Sequence, residues 1–364
     1  MKRITVHLDK QSSLSHEIYI GHNILDRMGL VIAKGNTVHR YTVITDSNVS
    51  ALYGEEILGV LKEVHVKADL IEYPAGEASK NMDTVLTIVK ELIHRGVDRS
   101  SALIALGGGV TGDITGFIAS IYMRSIPCLQ VPTTLMAQVD SSIGGKTGID
   151  LPEGKNLLGT FSQPQSVFID LRFLETLPDD EFNNGLSEVV KYGIIDDIDL
   201  FTLLEGKSGA IRDREPDVLQ TIVERSCKIK KGIVEIDEQD MGVRRILNFG
   251  HTIGHAIEAA SGYRVTHGNA VSVGMIASAR ISEKMKYLPF EDRVRIQDLV
   301  RAAGLADHIP ASIDTEEIIE KTRTDKKRER GSIHFVLLKK IGMPFINGSV
   351  DESLILETIE ELKK

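Results

Sequence analysis

The chain has 364 residues, 42% hydrophobic and 26% charged, which is long enough for two domains and apolar enough for ordinary buried cores. A formal net charge of -9 excludes a general nucleic-acid binder, while local basic clusters remain available to a small anion. The opening MKRITVHLDK lacks a signal peptide's apolar run and no segment reaches about 18 uninterrupted apolar residues, so a cytoplasmic protein without a membrane span is expected.

In chain order, Ile4–Leu8 and Glu17–Gly21 read as strands. Tyr41–Thr45 is a β-branched strand ending at Asp46, followed by a helical stretch to about Glu63. Val64–Tyr73 is strand-like, Pro74–Gly76 turns the chain, and Met82–Arg95 has helical spacing. Ala102–Leu106 is a buried strand, Thr111–Tyr122 a helix and Cys128–Val131 another strand. Such alternation implies a mostly parallel, Rossmann-like sheet covered by helices. After Leu177-Pro178 nearly every segment is helical: Glu181–Ile195, Val218–Glu235, Asn248–Ala260, Ala270–Lys286 and Arg293–Ala303, with Phe335–Leu338 a short strand. The expectation is an α/β domain over 1–178 and an all-α domain over 179–364, with the active site in the cleft between them. Cys128 and Cys227, far apart in apolar or helical contexts, read as buried free thiols.

Several stretches carry chemistry. Gly107, Gly109 and Gly112 satisfy GxGxxG between a strand and a helix, where backbone N–H groups can approach a pyrophosphate. A tight strand-to-helix turn needs such glycines too, and the motif does not follow the first strand, as it usually does. Asp46 suits ribose hydroxyls, or equally a helix N-cap. His251 and His255 lie four apart on one helix face, and His267 opens the next helix. Two imidazoles and a carboxylate would hold Zn²⁺ with open positions. Spacing alone does not say which histidines bind, and Glu188 is one of many candidate third ligands. The pattern is not HExxH, which excludes a metalloprotease reading. Asp140–Asn156 reads as a loop-rich stretch offering Lys146, Lys155 and Asn156 to phosphate, or as a solvated hairpin. Thr324–Arg330 is a charge run of the kind that is usually solvated surface.

GGGVTGD, VPTTLMAQVDSSIGGKTGID, EGKNLLG, FLETLP, GLSEVVKYG, NFGHTIGHAIE and HGNAVSVGM occur in the order found in the 3-dehydroquinate synthases. The chain resembles that family from about Asp46 to the TDKK segment. The resemblance implies NAD, Zn²⁺ (with Co²⁺ suited to the same ligands) and a homodimer. It implies Glu188, His251 and His267 as metal ligands, with His255 a catalytic histidine beside them. For NAD it implies Asp46, the segment Glu77 to Lys80, Gly109, Val110, Thr111, Gly112, Asp113, Thr133, Thr134, Lys146, Lys155, and Phe173, Leu174, Glu175 and Thr176. For substrate it implies Asp140, Lys146, Asn156, Lys191, Lys230, Arg244, Asn248, His255 and Lys326, the last chosen over Lys327. Arg124 resembles an arginine that reaches into the neighbouring subunit's site. Asp240 stands where family members commonly carry Glu.

The implied reaction converts 3-deoxy-D-arabino-heptulosonate 7-phosphate, a phosphorylated sugar acid, to 3-dehydroquinate and phosphate in the shikimate pathway. It runs by transient oxidation, phosphate elimination, reduction, ring opening and intramolecular aldol closure. 2-Deoxy-scyllo-inosose synthases resemble the chain as well, but act on glucose 6-phosphate, which has no carboxylate. They replace the equivalents of Arg244 and Asn248 and lack the GGK of Gly144–Lys146. A metal-dependent polyol dehydrogenase shares the two-domain plan and would release NADH at each turnover.

Overall fold

Strands that are apolar on both faces need cover on both. In a computed structural model, which describes residues 15–35, 38–328 and 334–364 (side chains of 324–328 excepted), that cover is present. The first half runs β1 (Glu17–Gly21), α1 (Leu25–Gly35), β2 (Arg40–Asp46), α2 (Ser47–Val49), α3 (Glu55–Glu63), β3 (Ala68–Tyr73), α4 (Met82–His94), β4 (Ser101–Gly107), α5 (Gly109–Ile121) and β5 (Cys128–Pro132). An antiparallel hairpin, β6 (Lys146–Leu151) and β7 (Gly154–Phe161), precedes β8 (Ser166–Asp170). Six of these strands form one parallel sheet, ordered β1-β8-β5-β4-β2-β3. Alternation along β2 and β4 sends Val43, Ile104 and Leu106 against Met28, Ile57 and Leu61 of α1 and α3. Their neighbours Ile44 and Leu103 face Ile88, Leu92, Ile114 and Ile118 of α4 and α5.

This order puts β2 and β4 side by side while their following helices leave on opposite faces of the sheet. The carboxyl ends of two such strands form the crevice where open α/β sheets bind ligands. Asp46 closes β2 and the Gly-rich turn closes β4, so both stand at that crevice. The motif's late position in the chain is therefore no obstacle, because β4 is a central strand in space.

The second half is helical: α6 (Asp179–Ile195), α7 (Ile198–Gly206), α8 (Ser208–Arg212), α9 (Pro216–Ile236), α10 (His251–Ala260), α11 (His267–Lys284), α12 (Phe290–Ala302), α13 (Thr315–Arg328) and α14 (Glu352–Leu362). It is not wholly α, since an antiparallel hairpin, β9 (Phe335–Lys340) and β10 (Met343–Asn347), packs on α11. Its core is continuous with Leu135, Val139, Val167 and Ile169 from the sheet side. Burying this apolar surface stabilises the halves against each other, at roughly 25 cal/mol per Å².

Several expectations need correction. The strand expected at Ile4–Leu8 lies outside the described residues. Val64–Lys67 is not strand: Val64 caps α3 and His65 is left-handed (φ 58°), with its N–H and that of Val66 returned to the Lys62 and Leu61 carbonyls. Asn248 is not helical with His251, because a short turn Val243–Asn248 ends there and Gly250 (φ +81°) breaks the path. The stretch expected to be loop-rich is mostly the β6–β7 hairpin. Cys128 and Cys227 are buried free thiols, and burial pushes each up to about 12.

Candidate active site

Glu188 sits on the inner face of α6, Lys191 one turn on, and His251 and His267 open α10 and α11. Glu188 Oε1 is buried without a hydrogen-bond partner, yet His251 Nε2 and His267 Nε2 stand 3.5 and 3.6 Å from it. A buried carboxylate oxygen costs free energy unless something satisfies it. That oxygen and the two Nε2 atoms, all within 4.8 Å of one another, fit a divalent cation of the zinc type. Both imidazoles present Nε2 because Nδ1 is engaged elsewhere: His251 Nδ1 donates to the Phe249 carbonyl at 3.1 Å and His267 Nδ1 to Glu258 Oε2 at 3.2 Å. Burial works to raise the Glu188 carboxyl; the Lys191 ammonium and then the His267 and His251 rings more than reverse this, holding it well below its ordinary value. Burial, then Lys191, drives His251 well below its own, so its ring is neutral and ready to ligate.

Beside this set lie three buried cations, Lys191, Lys230 and Arg244. Lys191 pairs with Glu188 Oε2. Lys230 Nζ, from α9, donates to Asp140 Oδ1 at 2.6 Å and to its carbonyl at 2.7 Å. Asp140 lies on a single π turn, Ala137–Ser141, and also accepts from Tyr192 Oη. Burial raises the Asp140 carboxyl, but Lys230 and Lys191 outweigh it and leave it below its ordinary value. Burial pulls Lys230 down, only partly offset by Asp140. Arg244 donates to the Glu238 carbonyl at 2.7 Å and the Gly144 carbonyl at 3.3 Å. Among the described residues no carboxylate lies within ion-pair distance of its guanidinium. A buried, un-neutralised guanidinium is a ready partner for a ligand carboxylate.

The cofactor candidates gather along the carboxyl edge of the sheet. Helix α5 starts at Gly109, with no side chain capping its first N–H groups, so those of Gly109, Val110 and Thr111 are available to a phosphate. Thr111 Oγ1 reaches Tyr73 Oη at 2.7 Å and Asp46 at 3.5 Å. A methyl on Gly112 would sit 2.8 Å from Gln130 Oε1, so helix-to-strand packing also favours a glycine there unless the Gln130 side chain shifts. Asp46 caps α2 through Oδ1, which leaves Oδ2 facing the turn. Lys80 Nζ bridges Asp113 Oδ2 and Asn156 Oδ1, both at 2.6 Å, and so ties the turn to the hairpin. Lys155 lies 3.7 Å from Glu77 and 4.7 Å from the Tyr263 ring centre, across to the α10–α11 turn. Thr133 binds its N–H to the Gly107 carbonyl, Thr134 caps the next turn, and Thr176 pairs with Tyr53. The Phe173 and Leu174 side chains are core, leaving only their backbone for a ligand, and Glu175 pairs with His22.

Two further candidates are exposed, and a third has its side chain outside the described residues. Asn248 is exposed at the end of its turn, and Arg124 is exposed within Met123-Arg124-Ser125, three consecutive residues of positive φ. The Lys326 side chain lies outside the described residues. Lys146 pairs with Asp240, so the shorter acid preserves a carboxylate there. His255 is half exposed, its ring 5.2 Å from that of His251. Sequence reasoning missed Tyr192 and Glu258. Glu258 was legible, since it lies three residues beyond His255 and seven beyond His251 on one helix face; Tyr192 gave no such signal.

The chain is similar to known proteins along nearly its whole length. The family model for the 3-dehydroquinate synthase N-terminal region matches residues 70–184, and that for the C-terminal region matches 185–328. A 3-dehydroquinate synthase of Acidithiobacillus ferrooxidans is 43% identical over 364 residues, covering 99% of this chain and 98% of its own. Among solved structures, a 2-epi-5-epi-valiolone synthase from Streptomyces hygroscopicus, with NAD⁺ and Zn²⁺ bound, superposes with a TM-score of 0.90 at 28% identity, covering 98% and 99% of the two chains. A 2-deoxy-scyllo-inosose synthase complexed with carbaglucose-6-phosphate, NAD⁺ and Co²⁺ gives 0.86 at 29%, covering 94% and 96%. With both family models in register and a relative this similar end to end, the chain belongs to the 3-dehydroquinate synthase family of enzymes.

Proposed function

We propose that the protein converts 3-deoxy-D-arabino-heptulosonate 7-phosphate to 3-dehydroquinate and phosphate, using NAD and a divalent metal, Zn²⁺ or Co²⁺. The observation that carries this reading is Arg244: a buried guanidinium with no carboxylate partner among the described residues, near Lys230, which in turn lies near the Lys191 that pairs with Glu188. A substrate bearing a carboxylate answers it, and glucose 6-phosphate does not. When bound, NAD takes up and returns a hydride, and the metal polarises the substrate oxygens it meets. The remaining work is orientation. Arg244 and Lys230 hold the carboxylate. Lys146, Asn156, Asn248 and Lys326 hold the phosphate, joined by Arg124 of the partner subunit. His255 and Lys191 hydrogen-bond ring hydroxyls, with Asp140 steadying Lys230. Proton removal beside the transient ketone expels phosphate, and the substrate phosphate itself serves as base.

The domain boundary falls at residue 178, where Pro178 precedes α6. A homodimer is supported by β7, exposed along most of its length with apolar Leu157, Leu158 and Phe161 on it, and by the exposed Ile121 and Met123 next to Arg124 in the chain. No helix among the described residues is long and apolar enough to cross a membrane, and a cytoplasmic site of action accords with the pathway. The test is phosphate release from the heptulosonate 7-phosphate with catalytic NAD⁺ and Zn²⁺, followed together with NADH absorbance. Phosphate release without NADH build-up, giving a product that 3-dehydroquinate dehydratase accepts, is expected. Steady NADH from a simple polyol, with no phosphate released, would replace this reading with a dehydrogenase.

A further inference from the structure

Each histidine in the metal-donor set presents Nε2 to Glu188, and each needs an acceptor at Nδ1 to do so. For His251 that acceptor is the backbone carbonyl of Phe249. For His267 it is a side chain, the Glu258 carboxylate, which is 9% exposed and comes from the neighbouring helix α10. Glu258 Oε2 also lies 4.0 Å from His255 Nε2. One buried carboxylate thus stands between a metal-donor histidine and the histidine assigned to substrate.

We infer that Glu258 is a positioning residue of the metal site, fixing His267 with its proton on Nδ1 and its Nε2 lone pair toward the ion. This rests on the metal-dependent reading above. A carboxylate in this place restrains ring rotation and makes the imidazole a stronger donor. The backbone acceptor at His251 cannot be changed by substitution, whereas Glu258 can, so the two halves of the site are separable by experiment. Glu258 together with His255 and His267 also forms a donor set of its own, which would make Glu258 a direct ligand of a second ion. A positioning role for Glu258 instead requires one ion per chain.

The experiment measures Zn²⁺ affinity by competition with a chromogenic chelator, zinc stoichiometry by atomic absorption, NAD⁺ affinity, and the visible spectrum of Co²⁺-loaded protein. It compares wild type with Glu258→Gln and Glu258→Ala. Expected are one ion per wild-type chain, Zn²⁺ affinity about 10–100-fold weaker in Glu258→Ala, a smaller loss in Glu258→Gln with a shifted Co²⁺ spectrum, and unchanged NAD⁺ affinity. Where Glu258→Ala does not fold, the near-isosteric Gln variant decides by its affinity and spectrum. Wild-type metal affinity and spectrum in the variants would overturn the inference while leaving the function standing. Two ions in wild type falling to one in Glu258→Ala would overturn it in favour of direct ligation. A wild-type protein that binds no divalent metal would overturn the function reading as well.

Discussion

Gly274 lies so close beneath Gly250 that a methyl group added to it would sit 1.9 Å from the Gly250 carbonyl oxygen. Helices α10 and α11 meet there backbone to backbone, and Gly254 meets Val271 Cα similarly at 3.0 Å. This close approach brings the His251 and His267 rings to 5.5 Å, near enough to share Glu188. Three glycines that carry no chemistry, Gly250, Gly254 and Gly274, therefore let the helices that bear the donor histidines approach this closely.

Gly274→Ala is expected to force the helices apart and destabilise the fold by about 1–3 kcal/mol, the usual cost of overpacking. The same shift should spread the donor atoms and lower metal content. Thermal unfolding and atomic absorption check both, and an unchanged melting temperature with full metal would mean the helices adapt elsewhere.

Arg244→Ala is expected to lose most turnover while NAD⁺ affinity persists, because the guanidinium bonds to the Gly144 and Glu238 carbonyls and to none of the cofactor candidates. Removing a bidentate, charge-assisted pairing with the substrate carboxylate would cost roughly 1.5–3 kcal/mol. Steady-state kinetics with a separate NAD⁺ titration measure the split, and wild-type kinetics in the variant would remove Arg244 from substrate recognition.

Leu158→Glu places a charge in the middle of exposed strand β7. If a second copy covers this face, light scattering should show dissociation to a monomer. Activity should fall with it, because the partner's Arg124 no longer reaches the site. A dimer that survives the substitution would locate the interface elsewhere.

Asp307 gives a pH signature remote from the site. Its hydrogen bond with His308, then that from Arg301 at 2.6 Å, hold the carboxyl at about 2 instead of 3.8. A depressed acid stabilises the fold above its unfolded value and loses that stabilisation as pH falls through its folded one. The expected result is a wild-type advantage over Asp307→Asn of about 1 kcal/mol near neutral pH, shrinking between pH 4 and 2. Denaturant melts at several pH values test it, and a difference that stays constant with pH would rule Asp307 out as the source.

Periodicity made most of the helices legible, and the strands β2, β4 and β5 announced themselves as short apolar runs. The candidate charged and metal-donor residues came through the family resemblance, and their types suit the chemistry it implies. What stayed hidden was whatever depends on pairing across long stretches of chain. Strand β8 is a five-residue run, SVFID, that acquires meaning only between β1 and β5. The hairpin register that brings Asn156 to Lys80 spans 76 residues of sequence. Tyr192 gains a role only because Asp140, 52 residues earlier, is carried under α6.

The sequence by itself determined which groups are available: a glycine-opened helix start, three histidines on two neighbouring helices, and lysines and arginines suited to an anionic ligand. These are local properties, set by backbone propensity and side-chain chemistry. The tertiary structure alone decided which groups meet. It put β4 beside β2, so that a late glycine motif occupies the sheet's crevice. It pressed α10 onto α11 closely enough for His251, His267 and Glu188 to converge, and left Arg244 buried with no carboxylate partner among the described residues. The physical reason is that burial and close approach arise from packing between distant segments, and only packing fixes the distances over which electrostatics and ligation act.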